Sequence, residues 1–373
     1  MSQTDLDATM MKRALRLALL GAGRTSPNPV VGAVVVKQGA VVGRGYHKTL
    51  GGPHAEVNAI KDAGRSCAGA ALYVTLEPCN HHGLTPPCTK AIVEAGISRV
   101  VFGMSDPNPD VAGGGCEQLR RDGIDVKGGV LERECRSINQ VFIKYVTTGV
   151  PYVTLKAAAT LDGFIAASSG DSKWITGEPA RQFAHRLRSL SDGVLVGIGT
   201  VLADDPLLTV RLRGKKFHRK PVRIVLDSEL RIPMDSQLVR SASVSPVMVI
   251  CGQGAPANKE RSLGSAGIEV ARVSSGGSGV DLASVLKTLG GKRISSILVE
   301  GGGRVLGSFL ESGLADDFHF FYAPKILGDP GGVSMLTCGP KLKIADCVRA
   351  YQITVKKFAD DLLVSGRFRE QLY

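Results

Sequence analysis

Gly52-Pro53-His54-Ala55-Glu56, then Pro78-Cys79, then Cys88, is the stretch from which the rest of the chain is read. One His and two Cys supply three ligands of the kind zinc takes in a hydrolytic site, with a fourth position left for water. Zinc brings the pKa of such a water close to neutrality, which makes it a nucleophile. Glu56 is not counted among the ligands. It stands two residues after His54, at the start of an expected helix. From there a carboxylate can take the water's proton and pass it to a leaving amine.

The order H-x-E, P-C, C is similar to the signature of zinc nucleobase deaminases. It departs from that form at one point: eight residues, Asn80 to Pro87, separate the two cysteines instead of two. A loop can return the second thiolate, so the metal chemistry survives and the substrate is what the departure affects. The competing reading is a structural zinc knuckle made by Cys79 and Cys88 with His81 or His82. Four parts in the right order, with Pro78 ahead of the first cysteine, favour the catalytic reading. His81 and His82 are then loop or substrate-contact residues.

At 373 residues the chain is long enough for about two domains, and 43% hydrophobic content supplies ordinary cores. Six of the eight cysteines lie outside the zinc motif without framework spacing, which suits free thiols in the reducing cytoplasm. Met11, Ala14, Leu15, Ala18 and Leu19 fall at helical spacing, and Lys12, Arg13 and Arg16 interrupt the run. The opening segment therefore reads as an amphipathic helix and not a signal peptide. No apolar run approaches a membrane span. The net charge of +12 suits either nucleic acid or anionic small ligands. In the absence of a nucleic-acid-binding motif, phosphorylated small molecules are the preferred partners.

Along the chain, strands alternate with helices, which implies a layered α/β domain. Prolines in Ser26-Pro-Asn28-Pro hold an extended entry to a Val-rich strand ending at Val36. Asn28, at its mouth, either reads a pyrimidine edge with its amide or is a turn residue. Ala71–Leu76 is a strand that delivers Glu77-Pro78-Cys79, Cys88–Ala95 a helix, and Asp106-Pro-Asn-Pro109 a turn. One helix is expected over Glu132–Tyr145. Thr147-Thr-Gly-Val-Pro151 is a linker. Beyond it, Pro151–Ala159 is a strand carrying Lys156, and Leu161-Asp162-Gly163 a tight turn. A helix capped by Thr176 runs to about Leu190. An apolar strand over Ile294–Glu300 runs into Gly301-Gly-Gly303-Arg304, a layout that can offer helix N–H groups to phosphate but is often only a turn. The final strands are expected near Asp317–Tyr322 and Leu362–Arg367.

Leu161-Asp-Gly, Trp174-Ile-Thr, the run from Gly199 to Arg211 and Val299-Glu-Gly-Gly follow the zinc motif in a fixed order. Together with the long cysteine spacing they resemble the bifunctional riboflavin-biosynthesis deaminase/reductase family over essentially the whole chain. The resemblance implies an N-terminal cytidine-deaminase-like three-layer α/β domain over residues 1–147. It implies a C-terminal dihydrofolate-reductase-like, NADPH-dependent domain over residues 151–373. Zinc on His54, Cys79 and Cys88, Glu56 as proton shuttle and Asn28 as a substrate contact would serve deamination. Ala158, Trp174, Thr200, Asp204, Ser228 and Gly302, Gly303, Arg304, Val305, Leu306, Gly307 and Ser308 would contact the dinucleotide. Ser172, Arg188, Leu208, Arg211 and Glu300 would contact substrate. Lys156 would donate a proton or hydrogen bond to the ribose oxygens; its plain alternative is a strand-edge lysine reaching water. Arg188 and Arg211 suit a phosphate, since guanidinium forks bind oxyanions bidentately. A homo-oligomer is expected, with no nucleic-acid or membrane partner.

Two rival readings remain at this stage. The positive charge favours an RNA-directed deaminase, but an aromatic content of 5% offers few stacking platforms. A regulatory nucleotide-binding protein with a relic zinc site is disfavoured by the intact His-Glu-Cys-Cys set.

Overall fold

The computed structural model describes residues 2–81, 86–109, 114–212, 220–276, 279–340 and 343–373. The chain divides into two compact units, Met1–Gly149 with Leu372–Tyr373, and Val150–Gln371. Among the described residues no helix is long and apolar enough to cross a membrane.

The first unit is built on strands β1 (Gly32–Lys37), β2 (Ala40–Tyr46), β3 (Ala71–Leu76), β4 (Arg99–Met104) and β5 (Asp125–Lys127). They form one sheet in the order β2-β1-β3-β4-β5. The β2-β1-β3 pairs are antiparallel and the β3-β4-β5 pairs parallel. Its helices are α1 (Gln3–Ala18), α2 (Ala55–Ala63), α3 (Cys88–Glu94), α4 (Gly115–Arg121), α5 (Glu132–Ile138) and α6 (Gln140–Thr148). The helical stripe of α1 buries Met10, Met11, Ala14 and Ala18 against the sheet face that carries Val34, Val36 and Tyr73, an arrangement driven by removal of apolar surface from water. α2 lies almost in contact with β2. A Cβ at Gly45 would stand 2.2 Å from the carbonyl oxygen of Ala55, so only glycine lets the first turn of α2, which carries Glu56, seat there.

The helix expected over 132–145 is two helices. Asn139 interrupts it at φ −113° and ψ 17°. Its amide bonds both backbone groups of Val30, accepting from N–H at 2.9 Å and donating to C=O at 3.1 Å. A side chain so engaged with a distant strand entry outweighs the local helical preference.

The second unit has strands β6 (Tyr152–Thr160), β7 (Phe164–Ala166), β8 (Gly193–Gly197), β9 (Val222–Leu226), β10 (Val247–Gly252) and β11 (Glu269–Val273). A two-residue ribbon follows, β12 (Ser275–Gly276) with β13 (Gly279–Val280). Then come β14 (Ser296–Val299), β15 (Asp317–Ala323), β16 (Val333–Ser334), β17 (Tyr351–Phe358) and β18 (Asp361–Arg367). Nine of these make one sheet, ordered β11-β10-β9-β8-β14-β6-β15-β18-β17. It is parallel from β11 to β15, and the β15-β18-β17 end is antiparallel. Its helices are α7 (Glu178–Leu190), α8 (Ile198–Asp204), α9 (Gln237–Arg240), α10 (Ala257–Ser265), α11 (Leu282–Gly291) and α12 (Gly303–Glu311).

One face of this sheet packs on α11 and α12 through Leu286, Leu289, Leu306 and Phe309. The other face packs on α9 and α10 toward one end, and on α7 through Ala180 and Leu187 toward the other. The two-faced cover is why β8 and β10 read as unbroken apolar runs. Thr176 does not cap α7. The N-cap is Gly177, whose N–H is taken by Asp361 Oδ2 at 2.7 Å. The edge strand β17 was not expected.

Candidate active sites

In the first unit the chemistry gathers where strand ends meet helix starts. His54 is the N-cap of α2 and Glu56 its second residue. Cys79 follows the end of β3, and Cys88 opens α3. The ligand atoms of His54, Cys79 and Cys88 all lie within 4.8 Å of one another. His54 Nδ1 is 3.2 Å from Cys88 Sγ and 3.5 Å from Cys79 Sγ. The backbone N–H of Cys88 points at Cys79 Sγ at 3.4 Å. A hydrogen bond from the Cys88 thiol, with help from His54 and that backbone N–H, holds the Cys79 thiol down to about 4. Cys88 is pushed up in turn, because its proton is shared with Cys79 and it is buried. Imidazole plus two sulfurs converging at this distance is a donor set that fits zinc. Glu56 is 4% exposed, and burial raises its pKa.

A cavity of about 230 Å³ opens on these residues. Asn28, His47, Glu77, His81, Asp106, Asn108 and Phe142 also line it. Asn28 and His81 are therefore placed at the pocket; His82 lies outside the described residues. His47 Nδ1 lies 3.2 Å from the carbonyl oxygen of Pro53, so that nitrogen carries the proton and Nε2 accepts from Asn28 Nδ2 at 3.4 Å. His47, Glu77, Asp106, Asn108 and Phe142 were missed by sequence reasoning. Asp106 and Asn108 follow the end of parallel strand β4, the position at which α/β sheets commonly place ligand residues, and that rule would have found them.

The second unit carries a charged cluster on its α7-covered face. Lys156 lies on β6, and Glu300 follows β14, whose Val299 pairs with Leu155. Arg188 of α7 grips Glu300 with a two-bond fork, Nε to Oε1 at 2.5 Å and Nη2 to Oε2 at 2.8 Å. Lys156 Nζ stands 3.7 Å from Oε2. Burial works against the Glu300 carboxylate, but Arg188 and Lys156 outweigh it and hold the group at about 2. Burial lowers the Lys156 pKa, with Glu300 opposing. The third donor nitrogen of Arg188 bonds the carbonyl oxygen of Thr209 at 3.0 Å. The fork expected for a phosphate is thus committed to Glu300 and to the 205–211 segment. Arg211 is exposed and bonds Thr209 Oγ1 at 3.1 Å. Its backbone N–H donates to His185 Nδ1 at 3.4 Å. His185 was not singled out in the sequence. Burial, with Arg188 and Arg211 nearby, keeps it down at about 4.

Thr200 Oγ1 is 3.5 Å from where a Cβ on Gly302 would sit, so the start of α8 and the start of α12 face one opening. Nothing stands within 4 Å of an added Cβ at Gly199 or Gly301. Ser172 Oγ donates to Asp204 Oδ1 at 3.1 Å, which joins an expected substrate contact to an expected cofactor contact. Trp174 is 66% exposed. Ala158 sits two residues from Lys156 on the same face of β6. Ser228 borders Gly252, whose N–H bonds its carbonyl at 3.0 Å. The open backbone at Gly301 and Gly302 beside the Thr200 hydroxyl fits an anionic dinucleotide. Other members of the expected set are structural in their contacts. Leu306 is core, Leu208 is buried at φ +51°, and a Cβ on Gly303 would stand 2.2 Å from Ser334 O. The side chains of Arg304, Val305 and Ser308 lie within α12 and not on a loop, and Gly307 lies in it too.

Residues 151–364 match the family described as RibD C-terminal domain. Residues 4–104 match the cytidine and deoxycytidylate deaminase zinc-binding region. The chain is 44% identical to riboflavin biosynthesis protein RibD of Aquifex aeolicus over 96% of this chain and 98% of that relative. It is 46% identical to RibD of Actinobacillus pleuropneumoniae over 88% of this chain and 85% of that relative. Among solved structures, RibD of Acinetobacter baumannii superposes with a TM-score of 0.89 at 37% identity, covering 98% of this chain and 99% of the other. A Thermotoga maritima diaminohydroxyphosphoribosylaminopyrimidine deaminase/5-amino-6-(5-phosphoribosylamino)uracil reductase does so at 0.85 and 41%, with the same coverage. A cytidine-deaminase-like unit with a zinc-type donor set, followed by a dihydrofolate-reductase-like unit with a buried charged cluster, places the chain in the RibD family of bifunctional riboflavin-biosynthesis deaminase–reductases.

Proposed function

We propose that the first unit hydrolyses the 2-amino group of 2,5-diamino-6-(5-phosphoribosylamino)pyrimidin-4(3H)-one, and that the second reduces the ribosyl group of the product to ribityl with NADPH. The observation that carries the first half is the convergence of His54, Cys79 and Cys88 beside the buried Glu56. These three residues would hold zinc, which supplies Lewis-acid activation of a water near neutral pH. Glu56 takes the proton of the attacking water and returns it to the leaving amine, so that ammonia departs and a carbonyl replaces the amino group. Asn28, its amide nitrogen held by His47, would orient the pyrimidine.

In the second unit NADPH, when bound, supplies hydride to the sugar carbon. Glu300 stays ionised at neutral pH and is the anchor of the cluster, not its acid. Lys156, held beside it and eased toward deprotonation by burial, gives the proton to the sugar oxygen. Arg211 is the available partner for the substrate phosphate. Thr200, Trp174, Ser228 and the N-terminus of α12 would hold the dinucleotide. A cytoplasmic setting agrees with eight free cysteines. Metal analysis combined with product analysis, with and without NADPH, tests this reading. Zinc at one per chain, a deaminated ribosyl product without NADPH and a ribityl product with it are expected. A chain that binds RNA and turns over no pyrimidine would overturn it.

A further inference from the structure

Trp174 is largely exposed, yet two neighbours fix it. Lys325 Nζ donates to its backbone carbonyl at 2.7 Å. The Arg181 guanidinium covers the ring at 4.6 Å from its centroid. Arg181 is itself tied to the carbonyl oxygen of Thr176 at 2.5 Å. A cation over an indole face is attracted by the ring quadrupole, and here it is also held in place.

Lys325 sits in a loop that the Leu161-Asp162-Gly163 turn anchors. Both carboxylate oxygens of Asp162 accept from the N–H of Leu327 at 3.1 Å, and Oδ2 accepts from Gly328 N–H at 2.8 Å. The N–H of Leu161 donates to Lys325 O at 2.8 Å. A bond with the Thr160 side chain, together with these N–H groups, holds the Asp162 carboxyl at about 2. The tripeptide that the sequence marked out therefore grips a neighbouring loop, and that loop grips Trp174. An exposed aromatic plate ordered before its ligand arrives avoids the entropy of being ordered on binding.

We propose that Asp162, Lys325 and Arg181 are positioning residues that hold the Trp174 indole with one face against a cation and the other open to a planar ring of the dinucleotide. This rests on the reading of Trp174 as a cofactor contact. Trp174 is the one tryptophan of the chain, so indole fluorescence of the full-length protein reports on it alone.

The test compares wild type, Asp162→Ala, Lys325→Met, Trp174→Ala and the Asp162→Ala/Trp174→Ala double variant. Iodide quenching and fluorescence anisotropy are read without NADPH, and NADPH affinity is read by calorimetry. Lys325 is exposed, so its variant keeps the test open if Asp162→Ala fails to fold. The expected result is a more mobile, more quenchable indole in both single variants, with a Kd for NADPH raised about tenfold, as loss of charge-assisted hydrogen bonds allows. Asp162→Ala should then add little to Trp174→Ala. If Trp174→Ala weakens NADPH binding while Asp162→Ala and Lys325→Met leave both the indole and the affinity unchanged, the positioning proposal is overturned. If Trp174→Ala binds NADPH as wild type does, the cofactor reading of the indole fails first, and the proposal with it.

Discussion

Arg188 and Glu300 stand 112 residues apart in sequence and are joined by two hydrogen bonds, at 2.5 and 2.8 Å, inside the second unit. Lys156 shares the carboxylate at 3.7 Å. Removing one member strands a buried charge, which costs more than the pair contributes. Arg188→Leu should therefore destabilise the protein by about 3 kcal/mol and abolish reduction. Arg188→Leu with Glu300→Leu and Lys156→Met, which leaves no charge of the cluster unpaired, should recover most of that stability and none of the reduction. Urea melts and NADPH oxidation rates check this. A single variant as stable as wild type would contradict it.

Glu56→Gln removes a proton shuttle but no ligand. Zinc content should be unchanged while the deamination rate falls by a factor of at least roughly 100. Cys79→Ser and Cys88→Ser should lose metal instead. Elemental analysis beside a deamination assay separates the two classes, and Glu56→Gln at near wild-type rate would remove Glu56 from the chemistry.

His319 sets a pH dependence of stability. Burial keeps its imidazole down at about 4, and its Nδ1 lies 2.7 Å from Ser365 Oγ. On unfolding its pKa returns to about 6.5, so the unfolded chain takes up a proton that the fold refuses. Because the folded pKa is depressed, the stabilisation is complete above about pH 6.5 and is lost as pH falls toward 4. Discounted for partial exposure, it amounts to roughly 1–2 kcal/mol. Between pH 7 and 4.5 His319→Gln should lose less stability than wild type in parallel urea melts. Curves of equal slope would exclude the effect.

Two glycines near the cofactor opening should respond in opposite ways. Gly303→Ala drives a methyl to 2.2 Å from Ser334 O and should cost about 2 kcal/mol or more. Gly199→Ala, in helix α8 with nothing within 4 Å, should be neutral or stabilising by up to about 1 kcal/mol. Thermal melts of the two variants decide this, and equal melting temperatures would contradict it.

The zinc triad was legible because its parts lie at strand ends and helix starts that the sequence itself marks. Lys156 and Glu300 were legible as lone charges on apolar strands. Arg188 was expected at the site, but its bond to Glu300 was not, since nothing local couples residues so far apart. His47, the Asp106–Asn108 turn and Phe142 reach the first pocket from three separate places in the chain, and only the assembled sheet brings them together. The break at Asn139 was invisible for the same reason, because its cause is Val30. Strand β17 gave no signal: it is an edge strand, six of its eight residues are exposed, and Thr354, Lys356 and Lys357 dilute Ile353 and Val355.

If one chain runs two chemistries in two separable constellations, with Lys156 as the acid of the second, losing Lys156 should stop the second and spare the first. Wild type and Lys156→Ala, each given the diaminopyrimidine substrate and NADPH, are compared by mass spectrometry of the products, with zinc content and NADPH affinity measured alongside. Lys156→Ala should keep zinc, bind NADPH, deaminate normally and stop at 5-amino-6-(5-phosphoribosylamino)uracil. Ribityl product at a rate comparable to wild type would contradict it.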